Sequence, residues 1–294
     1  MIEVRPIGFD SLGVRSMATI IYTNDVNVLI DPAVSLAPRR YSLPPHDSEW
    51  EALHRVAAEI EVLSSDADVI VITHYHYDHH DPGKFISTEI YRGKRVLLKD
   101  PRSFINVSQK IRASRFLKLI RDLAKEIIIA DSRSFRERNT TINFSKPVPH
   151  GINDRLGYVI MVSICEESEC VIHTSDVEGP VTPYVIDFIR EYSPYLVIMD
   201  GPATYLSRNK YPLPSIVKSV EYNVRLLNEV NSIKALILDH HLLRDLNYIS
   251  VFSEIRSGLR RGDVRLLTAA EYLGLTPNLL EARRKELYGL AESE

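Results

Sequence analysis

Apolar residues in this chain fall largely in short unbroken runs, and several of those runs stop at a histidine or an aspartate. Val69–Ile72 leads into Thr73-His74-Tyr75-His76-Tyr77-Asp78-His79-His80-Asp81. Residues 26–30 stop at Asp31-Pro32, residues 170–173 at Thr174-Ser175-Asp176, residues 195–199 at Asp200, and residues 233–238 at Asp239-His240-His241. Such runs read as strands buried on both faces. Residues 2–8, 96–98, 127–130, 140–144 and 264–267 add further strands, while 17–22 with 26–30 and 158–164 with 170–173 read as hairpins. Helices are predicted over 49–63, with Ser48 and Glu51 as a capping box, and over 103–124, 181–191, 215–230 and 248–259. The alternation predicts a layered α/β fold in one domain, 1–294. A loop-and-helix insertion at about 33–64 is expected to act as a lid or edge feature, and a helix at about 277–291 to close the chain.

Composition narrows the class. Of 294 residues, 45% are hydrophobic, enough for a substantial core. No run approaches the roughly 18 apolar residues of a membrane helix, and no signal peptide is visible, so a cytoplasmic protein is expected. Cys165 and Cys170 flank a polar turn and are expected as free thiols rather than a disulfide. Gln109 is the only glutamine, which leans towards a thermophilic source. Charge is unevenly spread. Residues 84–138 hold 15 basic and 6 acidic side chains, a net of +9, leaving −12 on the rest of a chain whose total is −3. Segregation of this kind marks either a solvated helix face or an anionic partner.

The chemistry lies at the strand ends. In layered α/β folds, loops converge there without disturbing the core. His74, His76, Asp78 and His79 form a His-x-His-x-Asp-His string of good ligands for a borderline divalent metal. His74 and His76 share one side of an extended chain, and His79 breaks the alternation as it would at a turn. His80 reads as a helix-start or surface residue, His46 and His54 as surface residues, and His173 as a satisfied core histidine. His150 stands alone in the punctuated loop Pro147-Val148-Pro149-His150-Gly151. Proline cannot continue a central strand, so Asp31 stands at a strand's end. His240 and His241 compete for one role, with His240 favoured because it comes first after the strand. Asp200 is either a supporting partner or a turn residue, and Arg244 is expected to pair with Asp245 or, failing that, to meet an anionic substrate.

The order of these residues resembles the metallo-β-lactamase fold superfamily. The likeness rests on the His74–His79 string, an isolated His150, Asp176 and His240 at later strand ends, and the early Ile30-Asp31-Pro32. The chain as a whole resembles an archaeal family related to intracellular lactonase-like hydrolases. The resemblance implies an αββα sandwich with two divalent metal ions at one edge, zinc first and manganese or iron compatible. His74, His76 and His150 would hold one metal, Asp78, His79 and His240 the other, and Asp176 would bridge. Asp78 and Asp176 thereby become the catalytic carboxylates, and Asp31 would orient a histidine from outside the ligand set. The implied chemistry is hydrolysis by metal-activated hydroxide. Three readings follow: hydrolysis of a small ester, lactone or phosphoester; a nuclease docking RNA or DNA on the basic segment 84–138; or a metal-binding protein without turnover. The absence of a histidine-rich or flavin-binding extra domain argues against an oxygen-reducing electron-transfer member.

Overall fold

The computed structural model describes residues 2–206 and 209–290. Its strands are β1 (Glu3–Pro6), β2 (Thr19–Tyr22), β3 (Val28–Ile30), β4 (Val69–Ile72), β5 (Arg95–Leu98), β6 (Glu126–Ile129), β7 (Ser134–Glu137), β8 (Thr140–Phe144), β9 (Val148–Pro149), β10 (Tyr158–Val159), β11 (Val162–Glu166), β12 (Glu169–His173), β13 (Leu196–Met199), β14 (Ala235–Leu238) and β15 (Arg265–Leu267). The helices are α1 (Asp47–Ser64), α2 (Val107–Ile120), α3 (Pro183–Tyr192), α4 (Leu213–Glu229), α5 (Tyr248–Gly258) and the short α6 (Ala269–Tyr272) and α7 (Arg284–Leu287).

Two sheets carry the molecule. The first runs β1-β2-β3-β4-β5-β6 and the second β15-β14-β13-β12-β11-β8-β7. Side-chain alternation along the apolar strands explains the layering. Val69 and Val71 of β4 face the core shared with Leu196 and Ile198 of β13 and Ala235 and Ile237 of β14. Ile70 and Ile72 point the other way, onto Leu53, Val56 and Ile60 of α1 and Phe116 of α2. Val197, Met199, Leu236 and Leu238 likewise face outward, onto α3, α4 and α5. The result is the four-layer αββα sandwich. Both faces of each central strand are buried, which is why these strands read as continuous apolar runs rather than alternating ones.

Strands β3 to β6 are mutually parallel, as are β12 to β15. Within each set, the C-terminal ends therefore open on one edge. Asp31, His74, Asp176, Asp200 and His240 all follow such ends. The backbone is strained there: Asp31 (φ 49°), Ser175 (φ 58°), Glu178 (φ 46°) and His240 (φ 44°) all sit in the left-handed region. Non-glycine residues adopt it at a cost, and such residues gather at functional sites.

Several expectations are corrected. The helix expected over 103–124 spans only Val107–Ile120, because the Asn106 side chain caps it by accepting from the Gln109 N–H. The first helix is capped by His46 with Glu49, not by Ser48 with Glu51, so His46 has a structural role. That helix is moreover an integral outer layer over the first sheet. Among the described residues of the expected 277–291 helix, only Arg284–Leu287 is α-helical. Leu279 packs into the core of the second sheet and its neighbour Leu280 into that of the first. Adjacent residues serving opposite clusters demand a bent strap, not a helix with one buried stripe. The strap is tied to the 33–64 segment by the fully buried Arg284–Glu49 pair at 2.6 Å, by Arg284 donating to the Ala37 and Leu43 carbonyls, and by the Tyr41 hydroxyl donating to the Ala282 carbonyl. Cys165 and Cys170 form a disulfide, contrary to the free thiols expected. The β11–β12 register sets them directly opposite, with Cα atoms 4.1 Å apart, which the polar turn between them did not reveal.

Candidate metal centre

The His74–His79 string leaves β4 and turns back at once. The His79 and His80 N–H groups both donate to the His76 carbonyl, 3.0 Å away in each case. The turn sends His74, His76, Asp78 and His79 to one side. His80 goes to the other, where it is buried against Tyr75 and Phe116 with Nδ1 2.9 Å from the His76 carbonyl. It is thus a core residue outside the cluster, not a surface one. His173 is the satisfied core histidine expected, with Nε2 3.0 Å from the Met17 carbonyl.

The second sheet and a separate β9–β10 ribbon supply the rest. The two-residue strands β9 and β10 pair and close the loop that presents His150, whose N–H donates to the Gly157 carbonyl. Asp176 follows β12 and is the hub. Its Oδ2 lies 3.0 Å from His150 Nε2, 3.6 Å from His74 Nε2 and 3.9 Å from His241 Nε2. Its Oδ1 lies 3.1 Å from His79 Nε2 and 3.6 Å from His240 Nε2. His240 Nε2 is also 3.6 Å from Asp78 Oδ2. Ligand-type atoms of His74, His76, His150 and Asp176 all lie within 4.8 Å of one another, as do those of Asp78, His79 and His240 and those of Asp176, His240 and His241. The rivalry between His240 and His241 is thus not a choice of one: both imidazoles face the hub. Only His241 reaches the adjoining cleft.

Most of these imidazoles are held by their other nitrogen. Asp31, itself fixed by the Thr73 N–H and hydroxyl, lies 2.8 Å from His79 Nδ1. Asp10 lies 2.8 Å from His240 Nδ1, and Asp200 2.7 Å from His241 Nδ1. Thr73 and Ser175 hydroxyls stand 3.2 and 3.3 Å from His74 Nδ1. Gln109 Nε2 stands 3.2 Å from His76 Nε2. Asp200 is therefore a supporting partner rather than a turn residue. Partners of this kind fix the tautomer and orientation of a ligating imidazole. Asp10 and Gln109 carried no sequence signal for the role. Arg244 also departs from expectation. Its guanidinium ignores Asp245, donating from Nε to Asp10 at 3.1 Å and lying 3.4 Å from Asp78 and 2.8 Å from His240 Nε2.

Electrostatics suit a cation. Burial is the largest influence on His76 and, with His150, lowers its pKa to about 3, so it is held in the neutral, ligating form. Burial, His79 and His76 likewise drive His74 well down. Burial opposes ionisation of Asp78 and Asp176, yet the surrounding histidines, with Arg244 for Asp78, outweigh it and hold both carboxyls below the usual range. His74 Nε2, His79 Nε2 and Asp176 Oδ1 are buried without a hydrogen-bond partner, because the 3.1 Å approach of the last two lacks hydrogen-bond geometry. Orphaned buried polar atoms are costly, and a divalent cation would satisfy all three. Burial pulls His79 and His150 down, but Asp176 outweighs it and raises both, so they would give up protons to a cation; the imidazole and carboxylate donor set fits zinc, manganese or iron.

The centre lies at the foot of a cleft of about 1290 Å³. Its walls come from the 33–47 loop with Trp50, from Asp81 to Phe85, from Tyr205 to Lys210 among the described residues, and from Ile152 to Leu156.

Two packed sheets with this cluster at one edge make a fold of the metallo-β-lactamase type. Residues 13–79 match the family model of the metallo-beta-lactamase superfamily. The chain is 49% identical over 289 residues to a UPF0282 protein of Saccharolobus solfataricus, covering 97% of this chain and 92% of that one. It is 47% identical over 290 residues to a UPF0282 protein of Sulfolobus acidocaldarius, with the same coverage. The chain belongs to the UPF0282 family. Among solved structures it resembles the isothiocyanate hydrolase from Delia radicum gut bacteria (TM-score 0.57, 14% identity, 91% of this chain and 95% of that one). It also resembles unliganded yeast PDE1 (TM-score 0.54, 14% identity, 91% and 97%). At that identity, the likeness is one of fold.

Proposed function

We propose that the protein is a metal-dependent hydrolase of a small ester, lactone or phosphoester, with two divalent ions, zinc foremost, at the strand-end cluster. The observation that carries this reading is the convergence of seven ligand-type side chains, several with their outward nitrogens already held by a buried partner. His74, His76 and His150 would hold one ion and Asp78, His79 and His240 the other, with Asp176 placed within reach of both sets. Divalent ions there supply Lewis acidity to a carbonyl or phosphoryl oxygen and acidify water for attack.

The chain's own groups do the rest. Asp31, Asp10 and Gln109 keep His79, His240 and His76 aimed inward. His241, tied to Asp200 through Nδ1, offers Nε2 to whatever lies over the hub. Arg244, with the Tyr205 hydroxyl 3.2 Å from its Nη1, braces Asp10 and Asp78 beside the cluster.

The test joins metal analysis to a panel of ester, lactone and phosphodiester substrates. The expected result is more than one zinc or manganese per chain and turnover in at least one class, both lost in His76→Ala. Bound metal with no turnover across the panel would favour a metal-binding protein without catalysis. Less than one metal per chain, unaltered by His76→Ala, would remove the site assignments.

A further inference from the structure

The cleft above the histidine cluster is lined by six cations, and they are not equivalent. Arg15 is clamped by Glu281 at 2.5 and 2.6 Å, and Arg244 is spent on Asp10 and Asp78. Lys84, Arg112, Arg155 and Lys210 have no carboxylate partner among the described residues. The four acids of the cleft do not offset them. Asp78 faces Arg244, Asp176 is ringed by histidines, Asp81 accepts the Lys84 and Phe85 N–H groups, and Glu178 faces His150 at 3.7 Å.

Two of the free cations stand on one wall. Arg112 lies one helical turn beyond Gln109 on α2, and Gln109 both touches His76 and donates to the carbonyl of Leu156, the residue after Arg155. Asn106 of the same helix donates to the Arg155 carbonyl. The helix and the 153–156 loop thus form one wall, joined through Gln109 to the histidine cluster. Arg112 stacks on Tyr77 at 4.4 Å and spends one donor, at 3.4 Å, on the Tyr75 carbonyl, which leaves most of its planar fork open. A guanidinium held this way suits a phosphate, which it grips through parallel N–H donors. The same cleft exposes ring surface at Trp50, which is 38% exposed, whereas the Tyr77 ring is taken up by Arg112 and by His80, stacked at 5.4 Å.

We propose that this wall binds the distal phosphate of a small nucleotide-like phosphoester, with Arg112, braced on the Tyr77 ring, and Arg155 gripping the anion and the exposed ring of Trp50 stacking against the base. This rests on the hydrolase reading for the reacting end alone. It sets the substrate as a phosphoester carrying a second anionic group, rather than a neutral ester or lactone. It also separates a small ligand from a polymer. Arg115 and Lys118, which continue the basic run along α2, are exposed and line no part of the cleft.

The test is calorimetric titration with adenosine diphosphate, adenosine and pyrophosphate, on chelator-treated and on zinc-loaded protein. Adenosine diphosphate should bind both forms. Adenosine should bind more weakly by about tenfold or more, and Arg112→Ala with Arg155→Ala should weaken adenosine diphosphate by a similar factor. Pyrophosphate should also bind more weakly, because the stacking is lost. Arg115→Ala with Lys118→Ala should leave adenosine diphosphate within about twofold, a change below 0.5 kcal/mol. All four residues are exposed or half-buried, so an unchanged melting temperature checks the fold. The proposal is overturned if neither form binds adenosine diphosphate, or if the Arg112 and Arg155 changes have no effect. It is equally overturned if the loss follows Arg115 and Lys118 and extends to an RNA oligonucleotide, the mark of a polymer track. The chelator-treated arm reads the wall even if the metal reading fails.

Discussion

The two sheets build their halves of the centre in different ways. The first delivers four candidate ligands from a single six-residue stretch after β4, His74 to His79. The second delivers them singly, from Asp176 after β12 and from His240 and His241 after β14, and the separate β9–β10 ribbon adds His150. A compact string needs one turn to converge, and the hydrogen bonds of His79 and His80 back to the His76 carbonyl make that turn locally. The dispersed set converges only if β12, β13 and β14 are parallel and in register, so its geometry depends on the whole second sheet. Supporting partners cross between the halves. Asp10, which follows β1, holds His240 after β14, whereas Asp31 after β3 holds His79 in its own sheet.

The largest effect is expected where the halves meet. Asp176→Ala removes the one side chain within 3.9 Å of five imidazoles, and metal content measured by mass spectrometry should fall below one ion per chain. Retention of the full complement would mean that each half holds its ion independently. Next come the supporting carboxylates. Asp31→Asn and Asp10→Asn should each weaken metal affinity by roughly 10–100-fold, the usual cost of losing such a partner. Competition with a chromophoric chelator measures both. An effect of Asp31→Asn alone would show that the dispersed half does not need its cross-sheet brace. The smallest effect is expected far from the site. The Cys165–Cys170 bridge lies at the end of the β11–β12 hairpin opposite His173, so Cys165→Ser should lower stability by about 2 kcal/mol for so short a loop and leave metal content unchanged. Metal loss in that variant would show that the register of the second sheet depends on the bridge.

The cleft walls repeat the contrast between local and long-range determination. The 33–47, 80–95 and 202–213 loops are each continuous in sequence, and each contributes lining residues. The wall that carries Arg112 and Arg155 is not. It depends on α2 packing against the 153–156 loop through Asn106 and Gln109, whose partners lie 49 and 47 positions away along the chain. The basic segment stood out as a block of charge, but a count over 84–138 cannot separate Arg112, which reaches the cleft, from Arg115 and Lys118, which do not. Among the described residues, no helix is long and apolar enough to cross a membrane.

What the chain determined by itself was its periodicity and its local chemistry. Unbroken apolar runs meant strands covered on both faces, and the His-x-His-x-Asp-His string meant a metal ligand set, because both are properties of neighbours in sequence. Asp31, His150, Asp176 and His240 were legible one step further out, as polar residues ending predicted strands or standing in a punctuated loop. Only the tertiary structure decided the rest. Asp10 became the brace of His240, Gln109 that of His76 and Asp200 that of His241. Arg244 turned inward instead of pairing with Asp245, His80 turned into the core, the two cysteines met across β11 and β12, and the tail became a strap over the 33–64 segment. Each of these depends on which distant atom occupies the space beside a side chain. That is set by strand register and by the packing of two sheets, and no spacing along the chain encodes it.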